Sequence, residues 1–422
     1  MLMRHLYTTL WACALPVVGA RLWWKGRRQP AYRADIAERF GRYTGTAPRP
    51  CLWIHAVSVG ETRAAQPLVT ALLARYPTHH IVLTHMTPTG RATAQTLFAD
   101  MAERVHSVYL PYDLPWLQAR FVAHFRPALG IVMETEVWPN LVAACAQRAT
   151  PLLLANGRLS QRSAQRYARL GTLARAAFGG FAVVAAQTDA DARRFAALGA
   201  TRVEVTGNIK FDIAPTPAGI ALGMQWRAAI GVRQVVLAAS TREGEEAQIL
   251  DAARALIADG ALLVIVPRHP QRFDAVAQQI RATGLRFGRR SAGSAPDAHD
   301  AIWLGDSMGE MAAYYALADV ALMGGTWLPF GGQNLIECCA AGTPVLLGPH
   351  TYNFLEASEQ AIAAGAARRS NDAADALRVA RTLLAAGTER EAMGAAGKRF
   401  AQQHGGATAR TLALIAPLVS AD

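Results

Sequence analysis

Short apolar runs recur down this chain, and nearly every one leads into a polar loop and then into residues at helical spacing. The stretch CLWIHAVSVGETRAAQP at residues 51–67 sets the pattern. Cys51, Leu52, Trp53 and Ile54 read as a buried parallel strand. Residues 55–61 bend away, with Gly60 supplying a tight turn. From Ala64 onward Ala65, Leu68, Val69, Leu72 and Leu73 share one helical face. The same rhythm continues with strands at 81–84, 105–110, 129–133, 152–155, 182–186 and 203–205. It pauses at APTPAG (residues 214–219), which reads as a linker, and resumes with strands at 235–239, 262–266, 301–304, 320–323 and 345–347. Strands alternating with helices throughout require parallel sheets covered on both faces. A chain of 422 residues is too long for one core. The pattern therefore predicts an α/β protein of two Rossmann-like domains facing each other across a cleft. No GxGxxG follows the first strand of either series, so a dinucleotide is not indicated.

The formal charge is +12, spread over single Arg residues with no basic run interleaved with aromatics. That favours a membrane surface or a phosphorylated substrate as partner and places nucleic acid below both. Cys13, Cys51, Cys145, Cys338 and Cys339 are odd in number and form no CxxC, which suggests neither a disulfide framework nor a zinc site. Residues 6–24 are the most apolar N-terminal stretch, interrupted by Pro16 and Arg21 and followed by Lys25, Arg27 and Arg28. Trp23 and Trp24 before that basic flank fit a membrane-associated helix, of marginal length for a span. The bland alternative is an amphipathic surface helix docked on the bilayer or on the protein. The expected domains are an anchor at 1–30, a first Rossmann-like domain at 31–213 and a linker at 214–230. A second domain at 231–422 follows, its last helix able to pack back on the first.

Polar residues gather just after strands, at the edge where open α/β sheets bind ligands. Glu61 stands at the first strand–helix junction. It could be an acid stabilising a helix N-terminus or a general base aimed into a cleft. In the second half, Gly324-Gly325, Gly331-Gly332 and Arg268 suit a departing phosphate, whose charge backbone N–H groups and Arg can stabilise. Each has a plain reading too: glycine pairs make turns, Arg268 could be a loop cation, and Glu337 could be helical surface.

Taken in order, HAVSVGE, METEVWPN, GNIKFD, PRHPQRF, DSMGEM, GGQNLIE and GPHTYNF resemble the 3-deoxy-D-manno-octulosonic acid (Kdo) transferases of lipid A biosynthesis, from about residue 21 to 354. The resemblance implies a GT-B fold, CMP-Kdo as donor and lipid IVA as acceptor. It also implies attachment to the anionic cytoplasmic face of a bacterial inner membrane. No HExxH, DxD or His cluster appears where a metal would be needed, so a transferase with no cofactor and no metal of its own is expected. The resemblance makes Glu61 the base that takes the proton from the acceptor 6′-hydroxyl, with Glu134 and Lys210 steadying the transition state. Arg268 and His269, then Met308, Gly309 and Glu310, then Asn334, Leu335, Ile336 and Glu337 would contact CMP. Ser58 and Gly60 would shape the acceptor side. Many members read GGHN where this chain has Gly331-Gly332-Gln333-Asn334, and Gln333 cannot carry an imidazolium charge. The competing readings are a UDP-sugar transferase of the same fold, a lipid-binding scaffold with a dead site, and a nucleotide-sugar epimerase of similar two-domain shape.

Overall fold

The computed structural model describes residues 2–212, 215–293 and 295–419, apart from the side chain of Arg28. Two compact units emerge: Met1–Asp212 with Gly405–Asp422, and Ile213–His404. In the first, β1 (Cys51–His55), β2 (His80–His85), β3 (Val105–Tyr109), β4 (Leu129–Met133), β5 (Leu152–Gly157), β6 (Val183–Ala186) and β7 (Val203–Val205) form one sheet in the order β3-β2-β1-β4-β5-β6-β7. Every pairing is parallel. The strand order reverses direction between β1 and β4, which opens a crevice at the carboxyl ends of those two strands. Strand β1 shows why the sheet is covered twice. Leu52 and Ile54 pack with Leu68 and Leu72 on one face, while Cys51 and Trp53 pack with Phe121 and Phe125 on the other.

Helix α2 (Val59–Arg75) follows β1 and begins earlier than its apolar face suggests. Ser58 caps it, accepting the Glu61 N–H at 3.4 Å. Gly60 therefore lies in the first helical turn and makes no tight turn of its own. Helix Ala407–Ile415 belongs to this unit, with Ala407 and Ile415 in the core around α2.

In the second unit, β8 (Val235–Thr241), β9 (Leu262–Pro267), β10 (Phe287–Arg289), β11 (Ile302–Leu304), β12 (Val320–Met323), β13 (Val345–Leu347) and β14 (Ala367–Arg369) run parallel in the order β10-β11-β9-β8-β12-β13-β14. Its reversal lies between β8 and β12.

The linker assigned to 214–230 is corrected, with residues 213 and 214 outside the described part. Pro217–Ile230 is a helix, capped by the Thr216 hydroxyl, which accepts the Gly219 N–H at 3.1 Å. The Thr-Pro-Ala-Gly composition marks a helix start, with Pro in the first turn where its missing N–H costs nothing. At Gly223 a Cβ would fall 2.4 Å from the Ala313 carbonyl oxygen, so glycine lets this helix press against Met311–Leu317. Trp226 completes the seat, its ring 4.9 Å from that of Trp303.

Helix α1 (Leu2–Arg28) runs through Pro16 as one element. Trp11, Ala12, Leu15, Val18 and Leu22 pack on Tyr112, Leu114 and Leu117, leaving Leu2, Leu6, Leu10, Val17, Trp23 and Trp24 outward. Among the described residues, no helix is long and apolar enough to cross a membrane.

Candidate active site

At the reversal point of the first sheet, Glu61 extends from the first turn of α2 and Glu134 follows β4, the strand beside β1. The Glu61 carboxylate accepts the Val57 N–H at 2.8 Å and the Ser58 hydroxyl at 3.0 Å. With Ser58 taking the Glu61 N–H, this is a reciprocal cap of the helix end. Burial pushes the Glu61 carboxyl up to about 7. The donated Val57 N–H and Ser58 hydroxyl pull it down, and the charges of Glu134 and Glu136 add to the rise. A carboxyl poised near neutrality is matched to taking a proton at neutral pH. One side chain thus caps the helix and holds a carboxyl whose pKa suits taking up a proton near neutral pH.

Glu134 adopts φ 57, a left-handed backbone that non-glycine residues hold only where surrounding structure enforces it. Its N–H is tied to the Ala155 carbonyl at 2.9 Å, and its Oε1 meets Lys210 Nζ at 3.0 Å. Lys210 sits on the single turn Ile209–Asp212. That turn is pinned by the buried Asn156 at the end of β5, whose Oδ1 accepts the Ile209 N–H at 3.0 Å. Glu136 completes a group of three carboxylates. It takes the Trp138 indole N–H at 3.0 Å, and burial, with the charge of Glu134 adding, pushes its carboxyl up. The Trp138 ring in turn meets His55 edge to face at 5.3 Å. His55 and His85 are fully buried, and burial lowers them to about 3 and about 4, so both stay neutral.

The second unit gathers the other expected residues at the carboxyl edge of its own sheet. Arg268 and His269 follow β9, and the Arg268 N–H donates to the Thr241 carbonyl at 3.0 Å. Burial lowers His269, and Arg242, Arg268 and Arg272 around it act the same way, leaving a neutral imidazole among guanidinium groups. Met308 is outward-facing and Gly309 has φ +84 in the loop after β11. Glu310 is held by Arg290 through two bonds, of 2.8 and 3.0 Å. Asn334 donates to Glu337 at 3.1 Å and accepts the Ile336 N–H at 3.1 Å. Leu335 and Ile336 point their side chains into the core, so only their backbone can face a ligand.

Sequence reasoning missed the two residues that fix this edge. Glu245, fully buried, accepts N–H groups from Arg242 at 2.8 Å, Gly325 at 2.7 Å and Trp327 at 3.0 Å. It thereby ties the loop after β12 to the loop after β8, across the reversal point. Glu246 accepts the Thr241 hydroxyl at 2.7 Å and Arg272 at 2.5 and 2.8 Å. Two adjacent acids opening a helix just after β8 were the available signal. Among the described residues, no group of three or more His, Cys, Asp or Glu could hold a metal ion.

Residues 34–213 match a family model described as 3-deoxy-D-manno-octulosonic-acid transferase (kdotransferase). A 3-deoxy-D-manno-octulosonic acid transferase of Bordetella pertussis is 46% identical, covering 97% of this chain and 98% of its own length. The Haemophilus influenzae protein of the same name is 37% identical, covering 98% of each. Among solved structures, UDP-GlcNAc 2-epimerase from Neisseria meningitidis aligns with TM-score 0.59 at 15% identity, over 87% of this chain and 99% of that one. A glycosyltransferase from Rickettsia africae aligns with TM-score 0.58 at 11% identity, over 90% and 100%. These two likenesses speak for a shared GT-B-like fold only.

Proposed function

Because the chain belongs to the 3-deoxy-D-manno-octulosonic acid transferase family, we propose that it moves Kdo from CMP-Kdo to the 6′-hydroxyl of lipid IVA, with Glu61 as general base. The observation that carries the mechanism is the half-buried Glu61 carboxyl, poised at about 7 beside two further carboxylates. An alcohol is a poor nucleophile at neutral pH unless a positioned base takes its proton as it attacks. The acceptor oxygen bonds to the anomeric carbon of Kdo, its proton passes to Glu61, and the bond to the CMP phosphate breaks on the opposite face. Configuration is thereby inverted, and CMP leaves with the electron pair.

Lys210 offers the cation for the negative groups of the donor, its carboxylate or phosphate, and Glu134 fixes that cation at 3.0 Å. Arg268 and His269 take the nucleotide phosphate. The neutral imidazole donates a hydrogen bond there, and the neighbouring arginines supply charge. Glu337, oriented by Asn334, suits the ribose hydroxyls, because a carboxylate accepts two O–H donors. Glu310 is neutralised by Arg290, so its loop serves through Met308 and the backbone at Gly309. No metal takes part in these steps.

The test is an assay of the full-length protein on vesicles carrying lipid IVA, with CMP-Kdo generated in place and products read by mass spectrometry. The expected result is lipid IVA gaining the mass of Kdo as CMP appears. CMP release without a heavier lipid would remove the acceptor from the reading. Turnover of a UDP-sugar in place of CMP-Kdo would remove the donor.

The outward residues of α1, with Trp23 and Trp24 next to Lys25 and Arg27, support a helix lying on an anionic bilayer at the cytoplasmic face of the inner membrane. Each basic residue near such a surface contributes about 1 kcal/mol at low salt. Binding to vesicles rich in anionic lipid should therefore weaken steeply as salt rises. Binding that ignored salt would assign the attachment to the apolar face alone.

A further inference from the structure

Asp113 is a buried carboxylate that the proposed chemistry does not use, and three parts of the first unit converge on it. It follows β3 and is 1% exposed. Its Oδ1 accepts the Leu141 N–H at 2.8 Å, and its Oδ2 accepts the Asn140 N–H at 3.1 Å. Those are the first free N–H groups of helix Pro139–Gln147, whose own N-cap residue, Trp138, provides no side-chain cap. The same Oδ2 accepts the Tyr7 hydroxyl of α1 at 2.9 Å, and Tyr7 oxygen in turn takes the Trp11 indole N–H at 2.8 Å. A second link runs alongside: the Asn140 side-chain amide donates to Thr8 Oγ1 at 3.1 Å and to the Asp113 carbonyl at 2.8 Å.

The loop at 134–138 lies between β4 and that helix. Its near end is fixed by the Glu134 N–H on the Ala155 carbonyl. Its far end is fixed by Asp113, and through Asp113 by α1. It carries Glu134, which holds Lys210, and Glu136. We infer that α1 is a working part of the site as well as a surface helix: Tyr7, acting through Asp113, is a positioning residue for the loop that carries Glu134 and Glu136. This rests on the proposed site at Glu61 and Glu134.

The experiment compares full-length wild type, Tyr7→Phe, Glu134→Gln, Tyr7→Phe/Glu134→Gln and Glu61→Gln on lipid IVA vesicles with CMP-Kdo generated in place. The Tyr7 hydroxyl is turned inward to Asp113, so Tyr7→Phe should leave vesicle binding and the KM for CMP-Kdo unchanged. Its kcat should fall about tenfold or more, the scale on which a misplaced catalytic group loses rate. In the Glu134→Gln background the same substitution should add little, since both changes act on one loop. Wild-type kcat in Tyr7→Phe overturns the inference. So does a fall that tracks lost vesicle binding, or a full additive loss in the double variant. Asp113→Asn is the second probe and should lose more, because one amide oxygen cannot accept all three donors. If Asp113→Asn fails to fold, Tyr7→Phe alone decides. An inactive Glu61→Gln beside a fully active Tyr7→Phe sinks the inference and spares the site. A fully active Glu61→Gln sinks the site reading, and the inference with it.

Discussion

Replacing Glu61 by Gln should lower kcat by about 10²- to 10⁴-fold, the range that a positioned general base contributes. The amide can still accept a hydrogen bond from Val57 or Ser58, so α2 keeps its start and the fold is preserved. Losing the charge at the helix end costs only about 0.3–1 kcal/mol. Turnover within a factor of two of wild type would place the base elsewhere. The pH dependence carries the same claim with a sign. A base acts when unprotonated, so kcat/KM should climb with pH through about 7 and level off above it. Ser58→Ala removes a hydrogen bond that favours the charged carboxylate, so the midpoint should move up. Glu136→Gln removes a like charge, so the midpoint should move down. A midpoint that stayed fixed in both variants would belong to another group.

Both sheets could be read from the sequence because their central strands are buried on two faces and are apolar throughout, as at 51–54 and 262–266. The edge strands β10 and β14 could not. Each is three residues long and ends in Arg, as a short, charged edge strand does where its outer side has no neighbour. The helix at Pro217–Ile230 was hidden by its own cap, since Thr-Pro-Ala-Gly has the composition of a linker and the geometry of a helix start.

The site divided in the same way. Glu61 announces itself by standing between an apolar strand and an amphipathic helix. Resemblance, and not spacing, supplied Glu134 and Lys210, which are 76 positions apart and meet only through the fold. Glu136 lies two residues beyond Glu134, and nothing local distinguishes a surface acid from one turned toward other carboxylates. Asn156, Asp113 and Glu245 bind backbone groups of distant loops. A one-dimensional reading has no access to where a buried carboxylate finds its N–H donors.

Arg272→Leu should be among the most damaging single changes in the second unit. Its guanidinium holds both oxygens of Glu246, which is fully buried. Removing the cation leaves a buried carboxylate with the Thr241 hydroxyl as its remaining donor. Breaking a buried pair from one side costs about 3–5 kcal/mol, far more than the pair contributes net. At about 2–4 °C per kcal/mol for a unit of this size, the melting transition of the second unit should fall by roughly 6–20 °C. The loss should also reach the proposed donor site. Thr241 accepts the Arg268 N–H, so loosening Glu246 releases the loop that carries Arg268 and His269, and the KM for CMP-Kdo should rise. The double variant Arg272→Leu/Glu246→Leu separates the two causes. With neither charge buried, most of the stability should return, short of the cost of an unpaired Thr241 hydroxyl. Scanning calorimetry of the three proteins reads this directly. A single variant that melts with wild type would mean that water already solvates Glu246. A double variant no better than the single would mean that the pair holds the loop by shape and not by charge.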